Sequence, residues 1–146
     1  MMKDYYKVKT IGQIHAPLKR GDKIPVQPQY SEVEGTIEIK KEYERALKDL
    51  EGFEYIYCIA YLHHIKGSIA LRSASHWDSK MHGIFALRTP RRPNPIALSI
   101  LKLLNIKKNI LKVKNLDLMD GTPVLDIKPF VPSNDNRETE KTGWIK

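Results

Sequence analysis

The chain reads as a succession of short apolar runs separated by polar segments rich in proline and glycine. Such spacing predicts strands joined by turns. A first strand is expected over Tyr5 to Ile14, ending in a turn near Ala16 and Pro17. Leu18 to Tyr30 is polar and basic and carries Gly21, Pro25 and Pro28. It predicts a long loop, of the kind that compact domains often reserve for function. Gly35 to Ile39 sets Ile37 and Ile39 against Thr36 and Glu38, the alternation of a half-buried strand. Phe53 to Ile65 is apolar on both alternating sets and predicts a central strand covered on both faces, ending at His63 and His64.

Beyond that strand, Gly67 to Arg72 predicts a short strand and Ser73 to Met81 a loop. Gly83 to Leu87 and Ile96 to Leu104 read as buried strands, although the run to Ile106 is open to strand or helix by periodicity alone. Leu111 to Asp117 alternates Leu111 and Val113 with Lys112 and Lys114, a strand with one wet face. Asp120-Gly121 is a turn pair, and Pro123 to Phe130 predicts the last strand. Only Glu42 to Leu50 has helical spacing, with Tyr43, Ala46, Leu47 and Leu50 on one stripe and Gly52 placed to end it. Ser133 to Lys146 is polar and reads as a partly ordered tail. The fold expected is mainly β, a barrel or sandwich with one short helix. It is a single domain over 1–146 with its core at about 5–132.

Composition narrows the function classes. The net charge of +8 and pI near 9.5 favour a polyanionic partner, but scattered lysines give the same total. The single cysteine, Cys58, excludes an intramolecular disulfide and a multi-cysteine metal cluster; in an apolar run it reads as a core residue rather than a nucleophile. The first residues have no apolar core of signal-peptide length, and the longest apolar run, Tyr55 to Leu62, is far too short to span a membrane. A soluble, cytoplasmic protein is expected. No glycine-rich phosphate or dinucleotide loop is present. The five histidines form no helical HxxxH pair and have no carboxylate at ligand spacing, so no metal is expected.

Charge does cluster in one stretch, His82 to Ser99, HGIFALRTPRRPNPIALS. Pro90, Pro93 and Pro95 bar helix and central strand and force extended geometry on their neighbours. The result is a stiff loop that holds Arg88, Arg91 and Arg92, with Lys19, Arg20 and Lys23 of the first loop as possible supplements. Fixed arginines suit phosphate or carboxylate, while the plainer alternative is a proline-rich connector with solvated side chains. No aromatic residue is interleaved among these arginines, so base stacking is not signalled within the loop. His63 and His64 end a strand, where at most one of two neighbours faces a cleft; a hydrogen-bonded rim histidine is the alternative. Asp117 and Asp120 follow another strand and suit a cationic or hydroxyl ligand, or else Asp120 merely caps its turn.

Taken together, HGIFALRTPRRPNPIALS and NLDLMDGTPVLDIKPFVP resemble the TsaA-like family, also called the TrmO family. IGQIHAP, the block from Gly35 to His64 and the terminal Gly143-Trp144 agree, so the resemblance runs through nearly the whole chain. Ala97 stands where the family usually has glycine. The resemblance implies a homodimeric β-barrel that binds S-adenosylmethionine and methylates tRNA at the exocyclic amine of threonylcarbamoyl-adenosine beside the anticodon. It implies a cofactor site at Gln27, Pro28, Gln29, His63, His64, Arg88, Leu98, Asp117, Leu118, Met119 and Asp120. Arg91, Arg92, Lys19 and Arg20 are then the expected RNA-facing cations, and Asp117, Asp120 and His64 are candidates for the base that takes the acceptor's proton. A non-catalytic module that senses the cofactor or a nucleotide while docking RNA is the alternative.

Overall fold

The apolar runs become the strands β1 (Gly12–His15), β2 (Glu34–Ile39), β3 (Tyr55–Tyr61), β4 (Arg72–Ala74), β5 (Met81–Gly83), β6 (Ile96–Lys107), β7 (Ile110–Lys114) and β8 (Pro123–Pro129). These are seen in a computed structural model that describes residues 2–19, 21–25, 29 and 31–145. The chain divides into two compact units, residues 1–63 with 96–130 and residues 64–95 with 131–146.

The first unit is a closed antiparallel barrel in the order β1-β2-β7-β6-β3-β8, so no long sheet edge is left open. Period-two alternation fills it: Ile14, Ile37, Ile56, Leu101, Leu111, Val113 and Val124 point inward and are fully buried. The barrel is helped by Gly35, where a Cβ would lie 2.5 Å from both the His15 carbonyl oxygen and Leu116 Cδ1. Only glycine lets β1, β2 and the segment after β7 approach so closely. A register shift between Leu103 and Asn105 marks a bulge opposite β7, and it leaves Leu104 and Asn105 both exposed.

Several expectations change. The first strand is short: Tyr5, Tyr6 and Val8 are exposed, and the strand ladder starts at Gly12. β6 is a strand, which settles the helix ambiguity, but it is buried on one face only. Ala97, Ser99, Leu101 and Leu103 turn inward, while Ile96, Leu98 and Ile100 turn outward. β3 has its inner set buried and its outer set half-buried, with Tyr55 and Tyr57 edge-on to Phe130.

The helical stripe is two 3-10 segments, Lys41–Leu47 and Leu50–Gly52, rather than one helix to Leu50. Asp49 at φ 68° lies in the left-handed region and interrupts the turn between them. Tyr43, Leu47 and Leu50 still pack on the barrel core, Leu50 from the second segment after the chain has turned at Asp49.

In the second unit β4 and β5 form a two-stranded sheet, with Arg72 opposite Gly83 and Ala74 opposite Met81. The expected Gly67 to Arg72 strand therefore begins only at its last residue, and part of the expected loop from Ser73 to Met81 is strand. The expected strand from Gly83 to Leu87 is mostly a 3-10 turn, Ile84–Ala86, which buries Ile84. The expected tail is also partly built: α1 (Pro132–Asp135) is the one α-helix among the described residues, and Trp144 is anchored further on. Pro132 opens the helix, where its missing N–H costs nothing.

Candidate functional site

Of the positions assigned by resemblance, Gln29, His63, Leu98 and Asp117 to Asp120 lie in the barrel unit, while His64, Arg88, Arg91 and Arg92 lie in the second. Gln27, Pro28 and Arg20 fall outside the described residues. Gln29 and His63 are exposed. Lys19 is exposed too, and its N–H donates to Asp22 Oδ2 at 2.8 Å in a local turn.

In the barrel, the segment after β7 leaves the sheet and is tied down at both ends. Asn115 Nδ2 donates to the Ser31 carbonyl at 2.7 Å, Ser31 Oγ donates to the Leu116 carbonyl, and the Leu116 N–H donates to the Val33 carbonyl at 3.1 Å. At the far end the Asp120 N–H donates to the Leu18 carbonyl at 2.6 Å and the Gly121 N–H to the Ile14 carbonyl at 2.8 Å. Asp120 Oδ1 accepts the Ala16 N–H at 3.0 Å. The Asp120 carboxylate thus has a structural bond, made across the chain rather than within its own turn: it fastens this turn to the residue after β1. Gly121, at φ 79°, supplies the left-handed turn position.

Between these anchors, Leu118 and Met119 bury their side chains. What they offer a ligand is backbone, and the N–H groups of both make no backbone hydrogen bond among the described residues. Asp117 is different. Its side chain is half-buried, and Ser99 Oγ donates to its Oδ1 at 2.7 Å. Desolvation pushes the Asp117 carboxyl up to about 6, against the opposing pull of the Ser99 hydrogen bond. Ser99 was not singled out from sequence, yet a signal existed: it is the one hydroxyl on the inward parity of an apolar strand, at Ala97, Ser99, Leu101 and Leu103. Its cross-strand partner is Cys58. Burial, reinforced by the nearby Asp117 charge, pushes the Cys58 thiol up to about 12, so it is no nucleophile at neutral pH. Leu98, next to Ser99, faces outward and is 63% exposed.

In the second unit the arginine loop has no regular structure from Leu87 to Pro95 and is braced by its own side chain. Arg92 Nη1 donates to the Leu87 carbonyl at 2.9 Å and to the Thr89 carbonyl at 3.3 Å, and its N–H donates to the Pro90 carbonyl at 2.9 Å. Part of the Arg92 guanidinium is thus committed to the loop itself, whereas Arg91 is exposed; Arg88 is exposed as well. His64 is half-buried.

A second cluster, absent from the sequence reading, lies in the same unit. His82 Nε2 meets both carboxylate oxygens of Asp78, at 3.1 and 2.9 Å. The Lys80 backbone N–H and the bond to His82 hold the Asp78 carboxyl below its ordinary range. The His82 ring stacks on Trp144 at 4.0 Å, and Trp77 leans on Trp144 at 5.7 Å. The only hint in sequence is that both tryptophans sit in polar stretches with no apolar run to absorb them. Among the described residues no group of His, Cys, Asp and Glu is arranged to hold a metal ion, and no helix is long and apolar enough to cross a membrane.

Known proteins match this chain over nearly its whole length. A probable S-adenosyl-L-methionine-binding protein of Pyrococcus abyssi is 41% identical over 139 residues, covering 94% of this chain and 75% of that protein. A tRNA (adenine(37)-N6)-methyltransferase of Escherichia coli strain K12 is 32% identical over 137 residues, covering 87% of this chain and 58% of the enzyme. The crystal structure of TrmO from Pseudomonas aeruginosa superposes with a TM-score of 0.79 at 30% identity, over 97% of this chain and 63% of that one. The family model for the tRNA-methyltransferase O N-terminal domain matches residues 13–136, a span that takes in the barrel, the Asp117 segment and the arginine loop. The chain belongs to the tRNA-methyltransferase O N-terminal domain family.

Proposed function

We propose that this chain is an S-adenosylmethionine-dependent tRNA methyltransferase acting on the exocyclic amine of an adenosine next to the anticodon, with threonylcarbamoyl-adenosine as the acceptor. The observation that carries the reading is the Asp117 segment. It presents a desolvated carboxylate and, at Leu118 and Met119, N–H groups that make no backbone hydrogen bond among the described residues, on a frame tied to β1 and β6, in a family with a relative named tRNA (adenine(37)-N6)-methyltransferase. The donor set fits the cofactor. A partly desolvated carboxylate suits its ammonium or ribose hydroxyls, and backbone N–H groups suit its base or carboxylate.

When bound, the cofactor supplies a methyl group on a sulfonium, ready for in-line displacement. The chain has to align the acceptor nitrogen and deal with its proton. Asp120 is poorly suited to that proton because its Oδ1 is committed to the Ala16 N–H. Asp117 is the better base: with its carboxyl at about 6 it is mostly ionised at neutral pH yet still basic enough to accept a proton. Ser99 fixes the rotamer of that carboxylate. Arg88 and Arg91, held on a stiff loop, suit the phosphates of the anticodon loop or the carboxylate of the threonyl group.

We also infer a homodimer. Tyr61, Ile96, Leu98 and Ile100 form an outward apolar ladder across β3 and β6, with Tyr61 paired to Ile96 and Tyr57 to Ile100. A second copy would cover it.

The test is nucleoside mass spectrometry after incubating the chain and S-adenosylmethionine with tRNA that carries or lacks the threonylcarbamoyl group. A methyl gained only on the modified adenosine supports the reading. Cofactor binding with no methyl gained on either tRNA leaves the non-catalytic module; two relatives of similar length are named only as S-adenosyl-L-methionine-binding or probable S-adenosyl-L-methionine-binding proteins.

A further inference from the structure

We propose that the second unit carries a stacking platform for unpaired RNA bases, with Trp77 as its open face and Trp144, His82 and Phe85 around it. This rests on the tRNA reading above and adds to it a surface for the bases rather than the phosphates. The platform is built from the bottom up. Asp78 grips His82 through both oxygens, and His82 lies nearly parallel to Trp144, with an interplanar angle of 19°. Trp144 Nε1 donates to the Ala86 carbonyl at 3.0 Å, which fixes the indole in place. Trp77 leans on that fixed ring, and its backbone N–H donates to Ser75 Oγ at 2.9 Å, yet the residue stays 53% exposed. Phe85, the neighbour of Ala86, is 81% exposed. A large indole ring held open on a rigid base, with an exposed phenyl ring on the residue next to the anchor of that base, is what a planar ligand needs, since little ordering cost remains to be met at the indole on binding.

The charge around them selects the ligand. The second unit holds nine lysines and arginines, six of them between His64 and Pro95, against four acidic residues, Asp78, which His82 engages, and Asp135, Glu138 and Glu140 in the last segment. Most of the excess positive charge of the chain therefore sits on the unit that exposes the aromatics. Arg88 is two residues from Ala86, so its Cα lies within about 7 Å of the Cα that anchors Trp144. Aromatic faces beside arginines are the arrangement that tracks single-stranded nucleic acid. A duplex offers no free base face and would use the arginines alone. The arginine loop carries no aromatic of its own; the fold supplies one from β4–β5 and another from the far end of the chain.

The experiment measures binding of a labelled anticodon stem-loop RNA, and of its stem as a blunt duplex, over a salt series. Trp77→Ala is expected to weaken the stem-loop roughly tenfold, Trp77→Phe to keep most of the affinity, and neither to change duplex binding or the salt slope. Phe85→Ala, at a side chain that is almost wholly exposed, keeps the test decisive if Trp77→Ala also lowers the melting temperature; it is expected to cost a few-fold on the stem-loop alone. A native chain that binds the stem-loop while the Trp77→Ala and Phe85→Ala variants bind it equally well overturns the platform and leaves the tRNA reading standing. Equal losses on stem-loop and duplex overturn it too, because they show a structural role. A native chain that binds neither RNA overturns the tRNA reading and the platform together.

Discussion

Asp117 and Asp120 are three residues apart and do different work. The Asp117 carboxyl is raised by burial, so the fold favours its neutral form. Its contribution to stability is full below the ordinary carboxylate range and is lost as pH rises through about 6. Asp117→Asn should therefore melt a few degrees higher than the native chain above neutrality, a gain of about 1–2 kcal/mol, and no higher below pH about 4. The same group acting as base makes the methyl-transfer rate climb with pH through about 6, and the Asn variant should lose both the rate and that limb. For Asp120 the prediction is structural first. Asp120→Ala removes the acceptor of the Ala16 N–H and should cost about 1 kcal/mol, seen as a lower melting temperature, together with weaker cofactor binding. Asp120→Asn keeps the acceptor oxygen, so it should restore the melting temperature; a variant that melts normally yet binds poorly would place the carboxylate on the ligand itself.

At the scale of elements, the arginine loop and the strands around it show what was legible and what was not. The period-two runs predicted the barrel strands because each needs one buried face, and that requirement is written locally in residues such as Ile37, Ile39, Leu111 and Val113. The 3-10 turns were not legible. The stripe Tyr43, Leu47 and Leu50 has α-helical spacing, and nothing in that spacing announces the left-handed Asp49 that splits the segment into two tighter turns. Nor was the division of labour among the arginines, which depends on where carbonyl groups point. Arg92 spends Nη1 on Leu87 and Thr89, while Arg91 is exposed. Arg91→Ala should lower the salt slope of tRNA binding by about one, the mark of one lost phosphate contact. Arg92→Ala should instead loosen the loop, read as faster proteolytic cleavage between Leu87 and Pro95 at unchanged barrel stability. Both carbonyl contacts come from one nitrogen, and a lysine ammonium also carries several donors on one nitrogen, so Arg92→Lys should keep part of the loop order that alanine loses. The Asp117 to Asp120 segment was found through resemblance. Its supports, Ser99 and Ala16, are 18 and 104 residues away from their partners, and separations of that kind leave no local trace.

For the molecule as a whole, the distribution of charge and apolar surface matters more than either total. The barrel unit shows an apolar ladder on β3 and β6, and the second unit carries the excess of arginine and lysine. Ile100→Glu, on the outward face of β6 and away from the Asp117 segment, should convert a dimer to a monomer in light scattering without lowering the barrel's melting temperature. An unchanged mass would remove the ladder as the interface.

The sealed position of Cys58 has a practical consequence. It is the only thiol in the chain, it lies wholly inside the barrel, and burial keeps it protonated. A thiol reagent can reach it only when the barrel opens, so the labelling rate under native conditions is a direct gauge of the free energy of opening. The native protein thus contains its own clock for barrel opening, to be read with cofactor or RNA present and absent. It also offers a silent background on which one introduced surface cysteine, on either unit, takes a spectroscopic label alone.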